Sequence, residues 1–253
     1  MAQIPHHVLA FYGTGASAAL IQQAYDHNKT YQRPIMPVHP TDVQSLACPS
    51  SWTHFLGDET HYSDFLAFFQ HEIDAKGWQR VVADNLFDPA NPRADDLLQR
   101  LFAGFLHPLI QLMYGMEWAQ PAIVAQALAQ TAVHENTLGT FLAEAEKRAN
   151  ASEDVDDVWN WSVAGLYVAA HRNKKLSGSI RSEDANKVTD GVLKRAREEA
   201  LELVSRVRVP ASLGAIEERT AEMFEGAIAI AASGALVEAA KRGKEERFDF
   251  FLM

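Results

Sequence analysis

The chain has 253 residues, of which 47% are apolar, so it can bury a sizeable core, and one domain covering residues 1–253 is the simplest organisation. Its formal net charge of −10 disfavours a nucleic-acid-binding surface. Cys48 is the only cysteine, which excludes an intramolecular disulfide, and the first residues lack the apolar run of a signal peptide. We therefore expect a cytoplasmic protein that neither binds nucleic acid nor enters a membrane.

A glycine pair near the N-terminus raises the question of a nucleotide site. The stretch AFYGTGASA, residues 10–18, fits the loose dinucleotide fingerprint G-x-G-x-x-A. That fingerprint needs a preceding strand and an acidic residue about twenty positions on, at the end of a second strand. Here that position falls in YQRPIMPVHP, residues 31–40, which predicts an extended, Pro-containing segment. We predict instead a helix ending near Gly13 and a second helix N-capped by Ser17.

Helical periodicity dominates the remainder of the chain. In DFLAFFQHEIDAKG the apolar residues form one stripe, with Asp64 as the predicted N-cap and Gly77 as the end of the helix. Residues 192–207 form an amphipathic pattern, and GAIAIAASGALV, residues 226–237, predicts a buried helix too short to span a bilayer. The fold class is therefore all-α: a single multi-helix domain with an extended Pro-containing segment near its N-terminus.

One segment, residues 104–135, predicts a helical hairpin. Pro108 and Pro121 both suit the first position of a helix, which would make His107 an N-cap and leave a tight turn between the two helices. His107 and His134 lie equally far from the midpoint of that turn, so they should sit at the same height on neighbouring helices. The positive end of the first helix would keep the His107 imidazole neutral and able to accept a proton.

Further polar side chains follow His107 along the first helix of this hairpin. Gln111 and Tyr114 continue its face, and Glu117 and Trp118 come one turn after Tyr114. A groove between apolar helices lined by these groups would suit a flat phenolic ligand. We predict His107, His134 and Tyr114 as catalytic residues and Gln111, Trp118 and Glu117 as substrate-binding residues. The same residue types are also compatible with purely structural roles, as helix caps and core aromatics.

Metal and nucleophile motifs are not found. The chain lacks H-E-x-x-H, paired Glu-x-x-His motifs and G-x-S-x-G, and Cys48 stands outside any Cys-His pattern. His54, His61 and His71 are not spaced as metal ligands. We predict neither a metal site nor a covalent catalytic intermediate.

Several motifs together resemble the questin oxidase-like family, mainly fungal enzymes of aromatic polyketide pathways. They are HHVLAFYGTGASAALIQQAYD, LGDETHYSDFLAFFQHEI, GFLHPLIQLMYGMEW, ALAQTAVHE and RFDFFLM, in the family's order and spacing over essentially the whole chain. The first motif adds His7 as a substrate-binding candidate, and Gln111 stands where family members often carry histidine. Because the family continues beyond FFLM, the resemblance implies that this chain is its N-terminal half to two-thirds.

The resemblance implies a Baeyer–Villiger-type oxidoreductase that cleaves a ring of a small, anthraquinone-like aromatic polyketide. O₂ would be the co-substrate and NADPH the reductant of the substrate, without flavin, haem or metal. The apolar C-terminal end, FDFFLM, predicts a contact for homo-oligomers. Two alternatives stay open: an inactive helical chain that binds an aromatic metabolite or a partner protein, and a generic helical scaffold.

Overall fold

A computed structural model describes residues 4–151, 162–209 and 211–242, with side chains as far as residue 232. No strand occurs among these residues, which confirms the all-α prediction. None of their helices combines the length and the apolar character needed to cross a bilayer. The FDFFLM end, expected to join copies of the chain, lies outside the described residues.

Contacts divide the chain into two compact units, residues 1–140 and residues 141–253. The helices of the first unit are α1 (Ile4–Gly13), α2 (Ala18–Lys29), α3 (Pro40–Leu46), α4 (Pro49–Trp52), α5 (Tyr62–Lys76), α6 (Trp78–Leu86), α7 (Ala94–Arg100), α8 (His107–Glu117) and α9 (Pro121–Val133). Helix α10 (Gly139–Ala151) begins at the division, and the second unit continues with α11 (Val163–Arg172), α12 (Lys174–Ser177), a π-helix (Lys187–Leu193), α13 (Arg197–Val204) and α14 (Leu213–Arg242).

The glycine-containing stretch near the N-terminus joins two helices. Helix α1 ends at Gly13, and the Ser17 hydroxyl accepts a hydrogen bond from the backbone N–H of Leu20, at 3.4 Å, at the start of α2. The predicted helix end and N-cap are therefore both confirmed. Because a helix rather than a strand precedes the glycines, this stretch does not have the strand–turn–helix form of a dinucleotide site.

Helix α5 starts earlier than its apolar pattern suggests. Asp58 caps a short 3₁₀ turn, Glu59–His61, that runs directly into the helix, so His61 rather than Asp64 occupies the N-cap position. The prediction of Asp64 as N-cap is wrong: Asp64 is the third helical residue and its relative exposure is 0%. The predicted end is confirmed, since Gly77 terminates α5 with a φ of +80°.

The core of the first unit is built around α9, which packs against both α5 and α8. Helix α9 is rich in alanine and is buried on most of its surface, so its neighbours can approach closely. At Gly115 of α8, a Cβ atom would lie 2.9 Å from the backbone nitrogen of Val124. Aromatic rings fill the other side of the core, where Trp52 packs edge-on against Phe65 at a centroid distance of 4.9 Å.

Two expectations for the second unit need correction. The amphipathic stretch 192–207 is divided between the end of the π-helix and α13 instead of forming one helix. Residues 226–237 are helical within α14, as predicted. The prediction that this stretch is buried is wrong within residues 226–232, whose side chains are described, because Ile228 is 68% exposed. Gly226 faces Val163 of α11. Ile228 comes two residues later, which is a rotation of about 200° around the helix, so its side chain points away from that contact.

Candidate functional site

A left-handed turn precedes α8. Gly104, Phe105 and Leu106 have φ values of +55°, +56° and +65°, and Leu106 is the N-cap. His107 is therefore the first helical residue, and its prediction as N-cap is wrong by one position. For Phe105 and Leu106 this conformation costs about 1–3 kcal/mol each, so surrounding contacts must hold the turn in place.

His107 and His134 both lie against Gly104. The Nδ1 atom of His107 donates to the carbonyl oxygen of Gly104 at 2.6 Å, so Nε2 is the accepting nitrogen when the ring is neutral. A Cβ atom at Gly104 would lie 2.7 Å from Cε1 and Nε2 of His134. The absence of a side chain at this glycine is what allows the His134 ring to lie against the turn.

His134 is held at the end of α9. Its carbonyl oxygen accepts a hydrogen bond from the Arg100 guanidinium, while its Nε2 atom is buried without a hydrogen-bond partner among the described residues. Burial lowers the pKa of His134, and the nearby charge of His107 lowers it further. The ring is therefore neutral near pH 7.

A third histidine, His6, reaches the same region from α1. Its Nδ1 lies 3.1 Å from Oε1 of Gln111, and the Gln111 amide nitrogen donates to Oε1 of Gln126 at 3.0 Å. Because the amide nitrogen faces Gln126, the amide oxygen faces His6, which makes Nδ1 the donor and Nε2 the acceptor of His6. Burial lowers the pKa of His6, the Gln111 hydrogen bond opposes this, and the charge of His107 lowers it further.

The structure places His7 and Gln111 in hydrogen bonds with other protein groups. His7 accepts a hydrogen bond from the Asn28 side chain of α2 at 2.6 Å, because consecutive helical residues point about 100° apart and His6 already faces α8. Gln111 is 2% exposed and bonded at both ends to protein groups, so it orients His6. Gly13 lies two turns after His6 on the same face of α1 and also contacts the α8 side, where a Cβ atom at Gly13 would be 3.3 Å from the Trp118 ring.

The remaining predicted residues are spread along α8. Tyr114 is half-buried, with its ring centroid 6.0 Å from that of His6. Trp118 caps the other end of the helix, 5.3 Å from the Tyr12 ring and about 16 Å from His107 along the axis at 1.5 Å per residue. Glu117 is exposed. The structure thus places His107 at the start of α8, His6 beside Gln111 and Tyr114 further along the helix, and Trp118 at its end.

A cavity of about 410 Å³ lies elsewhere in the first unit. Its lining includes Arg80 and Asp84, which form an ion pair at 2.7 Å, and Lys76 and Glu72, which also pair with each other. None of the predicted site residues lines it. Its charges are largely paired within the protein, so this cavity does not supply the aromatic groove expected from the sequence.

Comparison with known proteins places this chain in a family. The model of the questin oxidase-like family matches residues 2–253. The chain is 34% identical to the Baeyer–Villiger oxidase ptaJ of Pestalotiopsis fici, over 99% of this chain and 54% of that protein. It is 32% identical to the questin oxidase of Aspergillus fumigatus, over 98% of this chain and 55% of that protein. It therefore spans about half the length of these curated relatives. The chain belongs to the questin oxidase-like family.

Proposed function

We propose that this chain takes part in Baeyer–Villiger-type oxidation of an anthraquinone-like aromatic polyketide, with O₂ as co-substrate. The observation that supports this most is the convergence of three histidines at the start of α8, where His6 and His134 have lowered pKa values and His107 lies at the positive helix end. Neutral imidazoles in a partly dry site can remove a phenolic proton. The names of the relatives, which include Baeyer–Villiger and questin oxidases, support the same reaction class.

The chemistry can proceed from a hydroquinone form of the substrate. Once deprotonated, the hydroquinone transfers two electrons to O₂, which is reduced to peroxide while the ring returns to the quinone. The peroxide adds to a carbonyl carbon, the neighbouring ring carbon migrates to the attached oxygen, and the O–O bond breaks with the distal oxygen leaving as water. One oxygen atom from O₂ is thereby inserted beside the carbonyl to give a cyclic ester, and hydrolysis of that ester by water opens the ring. The protein's task is to remove the proton, exclude water and hold the peroxide.

His107 is the base in this proposal. Its Nδ1 donates to the Gly104 carbonyl oxygen, so Nε2 carries the lone pair of the neutral ring, and the His107 side chain is half-buried, whereas Nε2 of His134 is buried. Tyr114 lies two turns further along α8, with His6 of α1 beside its ring, and its hydroxyl donates a hydrogen bond to a substrate oxygen. Trp118 contributes packing at the far end of α8.

NADPH enters the proposal as the reductant that converts the quinone to the hydroquinone. No dedicated nucleotide domain is needed for that step, in keeping with the helix–helix junction formed by the glycine-containing stretch near the N-terminus. A hydroquinone is electron-rich enough to reduce O₂ itself, so the proposal assigns no step to flavin, haem or a metal ion.

The test is oxygen labelling with a hydroxyanthraquinone and a reductant under ¹⁸O₂. We expect a ring-cleaved product with one labelled oxygen atom, and a loss of roughly 10²–10⁴ in kcat for His107→Ala. The exposed His71 provides a matched control, since His71→Ala should keep full turnover. Unlabelled or absent product from the purified protein contradicts the proposed activity, whereas near-normal turnover in His107→Ala contradicts only the assignment of the base.

One observation favours a second function, binding without turnover. Phe105 and Leu106 are 76% and 43% exposed on the left-handed turn beside His107, and exposed apolar side chains of this kind suit an aromatic metabolite or a partner protein. This alternative predicts that a hydroxyanthraquinone raises the melting temperature without any oxygen uptake. Labelled product in the experiment above would exclude it.

A further inference from the structure

A cluster of histidine and aspartate side chains lies where the starts of α3 and α5 meet. His39 is the N-cap of α3 and Asp42 belongs to its first turn. His61 is the N-cap of α5, and Asp64 belongs to the first turn of that helix. The four side chains therefore come from two segments that are separated in the sequence and joined only by folding.

The distances within this cluster fall into two groups. The Oδ2 atom of Asp64 lies 3.2 Å from Nδ1 of His39 and 3.0 Å from Nδ1 of His61, which are hydrogen-bond distances. The Oδ2 atom of Asp42 lies 3.9 Å and 3.8 Å from the same two nitrogens. Asp42 is too far from either ring to form a hydrogen bond, but its Oδ2 atom lies within 4 Å of both Nδ1 atoms.

The Asp64 separations are close to those between ligands that share one metal ion, and the Asp42 separations are about 0.5 Å wider. Nitrogen and oxygen ligands about 2.0–2.1 Å from Zn²⁺ lie about 3.3 Å from one another in a tetrahedral site. One ligand atom each from His39, Asp42 and Asp64 lie within 4.8 Å of one another. Two carboxylates with neutral imidazoles carry two negative charges, which a divalent cation would balance.

A backbone hydrogen bond already orients one carboxylate of the cluster, that of Asp64. The backbone N–H of His39 donates to Oδ1 of Asp64 at 2.6 Å, which leaves Oδ2 directed towards the two rings. Asp64 is fully buried, whereas the His39 side chain is 53% exposed and offers a route of entry from solvent. Carboxylates held in this way by outer hydrogen bonds are characteristic of protein metal sites.

We propose that His39, Asp42 and Asp64 bind a divalent transition-metal ion such as Zn²⁺, with His61 completing the site. Mixed imidazole and carboxylate ligands suit zinc and its neighbours in the first transition series better than Mg²⁺ or Ca²⁺. The ion would fasten the end of the Pro-containing segment, residues 31–40, to α5. This role is structural and does not depend on the proposed oxidation.

Zinc binding to the chelator-treated protein tests the proposal directly. The purified protein, dialysed against EDTA, is titrated with Zn²⁺ in competition with a chromophoric chelator, and Co²⁺ is then used to record visible absorption bands. We expect one tightly bound ion per chain, a higher melting temperature with zinc and a Co²⁺ spectrum unlike that of the aqueous ion. His39→Gln and Asp42→Asn should each weaken zinc binding at least tenfold.

Matched controls separate this site from adventitious binding by other histidines. His71→Gln and Asp74→Asn alter exposed residues outside the cluster and should keep wild-type affinity. The two test positions are partly exposed, so their variants should fold, which circular dichroism can verify. The proposal is overturned if the wild-type protein fails to compete for zinc, if either test variant binds as the wild type does, or if the controls lose affinity equally. A cluster held by hydrogen bonds alone would give the first of these results.

Discussion

Replacing Gly104 with alanine changes two features of the turn before α8. The backbone has a φ of +55°, and an L-residue with a Cβ pays about 1–2 kcal/mol to adopt this left-handed conformation. The new Cβ would also lie 2.7 Å from two ring atoms of His134, and such overpacking costs about 1–3 kcal/mol because the ring has to shift. We therefore expect Gly104→Ala to lower the free energy of unfolding by about 2–5 kcal/mol.

A second glycine of the first unit separates the two contributions. Gly15 has a φ of +80°, and no atom lies within 4 Å of the position its Cβ would take. Gly15→Ala should therefore show only the backbone cost of about 1–2 kcal/mol. Urea unfolding followed by tryptophan fluorescence gives the free energy of unfolding for each variant, and the difference between them isolates the overlap with His134.

The double variant Gly104→Ala/His134→Ala completes the test. Removing the imidazole removes the overlap, so the two substitutions together should cost less than the sum of their separate effects, by about 1–3 kcal/mol. If Gly104→Ala destabilises the protein no more than Gly15→Ala, or if the two effects simply add, then His134 does not pack against the turn as the structure places it.

Three further predictions concern the same region. Gln111→Leu leaves His6 and Gln126 without their shared partner and should lower the free energy of unfolding by about 1–3 kcal/mol in urea unfolding; no change would mean that the amide does not bridge them. Gly115→Ala places a Cβ 2.9 Å from the Val124 nitrogen and should lower the free energy of unfolding by about 1–3 kcal/mol. In the control Gly214→Ala the new Cβ meets no atom within 4 Å, so this variant should be neutral or stabilising. Equal effects of the two substitutions would argue against close packing of α8 and α9. Folding lowers the pKa values of His6 and His134 from their ordinary value of 6.5, so the unfolded chain binds more protons than the folded one as the pH falls. The free energy of unfolding should therefore decrease as the pH drops below the unfolded-state pKa of 6.5 and through the lower folded-state pKa values. The variant His6→Gln/His134→Gln should flatten that decline in urea unfolding measured between about pH 7.5 and 5.5, and an unaltered pH dependence would contradict the assignment.

Local features of the structure follow from the sequence with good fidelity. The Ser17 N-cap, the Gly77 helix end and the start of α9 at Pro121 are all confirmed. Each of these depends on a few neighbouring residues, through a hydroxyl that satisfies a backbone N–H, a glycine that adopts a positive φ or a proline that lacks a donor. Family membership also follows from the sequence, because the motifs that carry it are contiguous.

Contacts between distant segments were decided only by tertiary structure. The choice between His6 and His7 depends on how α1 rotates against α8, and a pattern of adjacent histidines cannot reveal that rotation. Asp64 illustrates the same limit: its sequence position suggests a cap, but folding buries it beside His39, which lies 25 residues away in the chain. Spacing rules capture ligands on one helix, whereas this cluster exists only because the Pro-containing segment returns to the start of α5. Periodicity determines which residues form helices, and the packing of those helices determines which side chains meet.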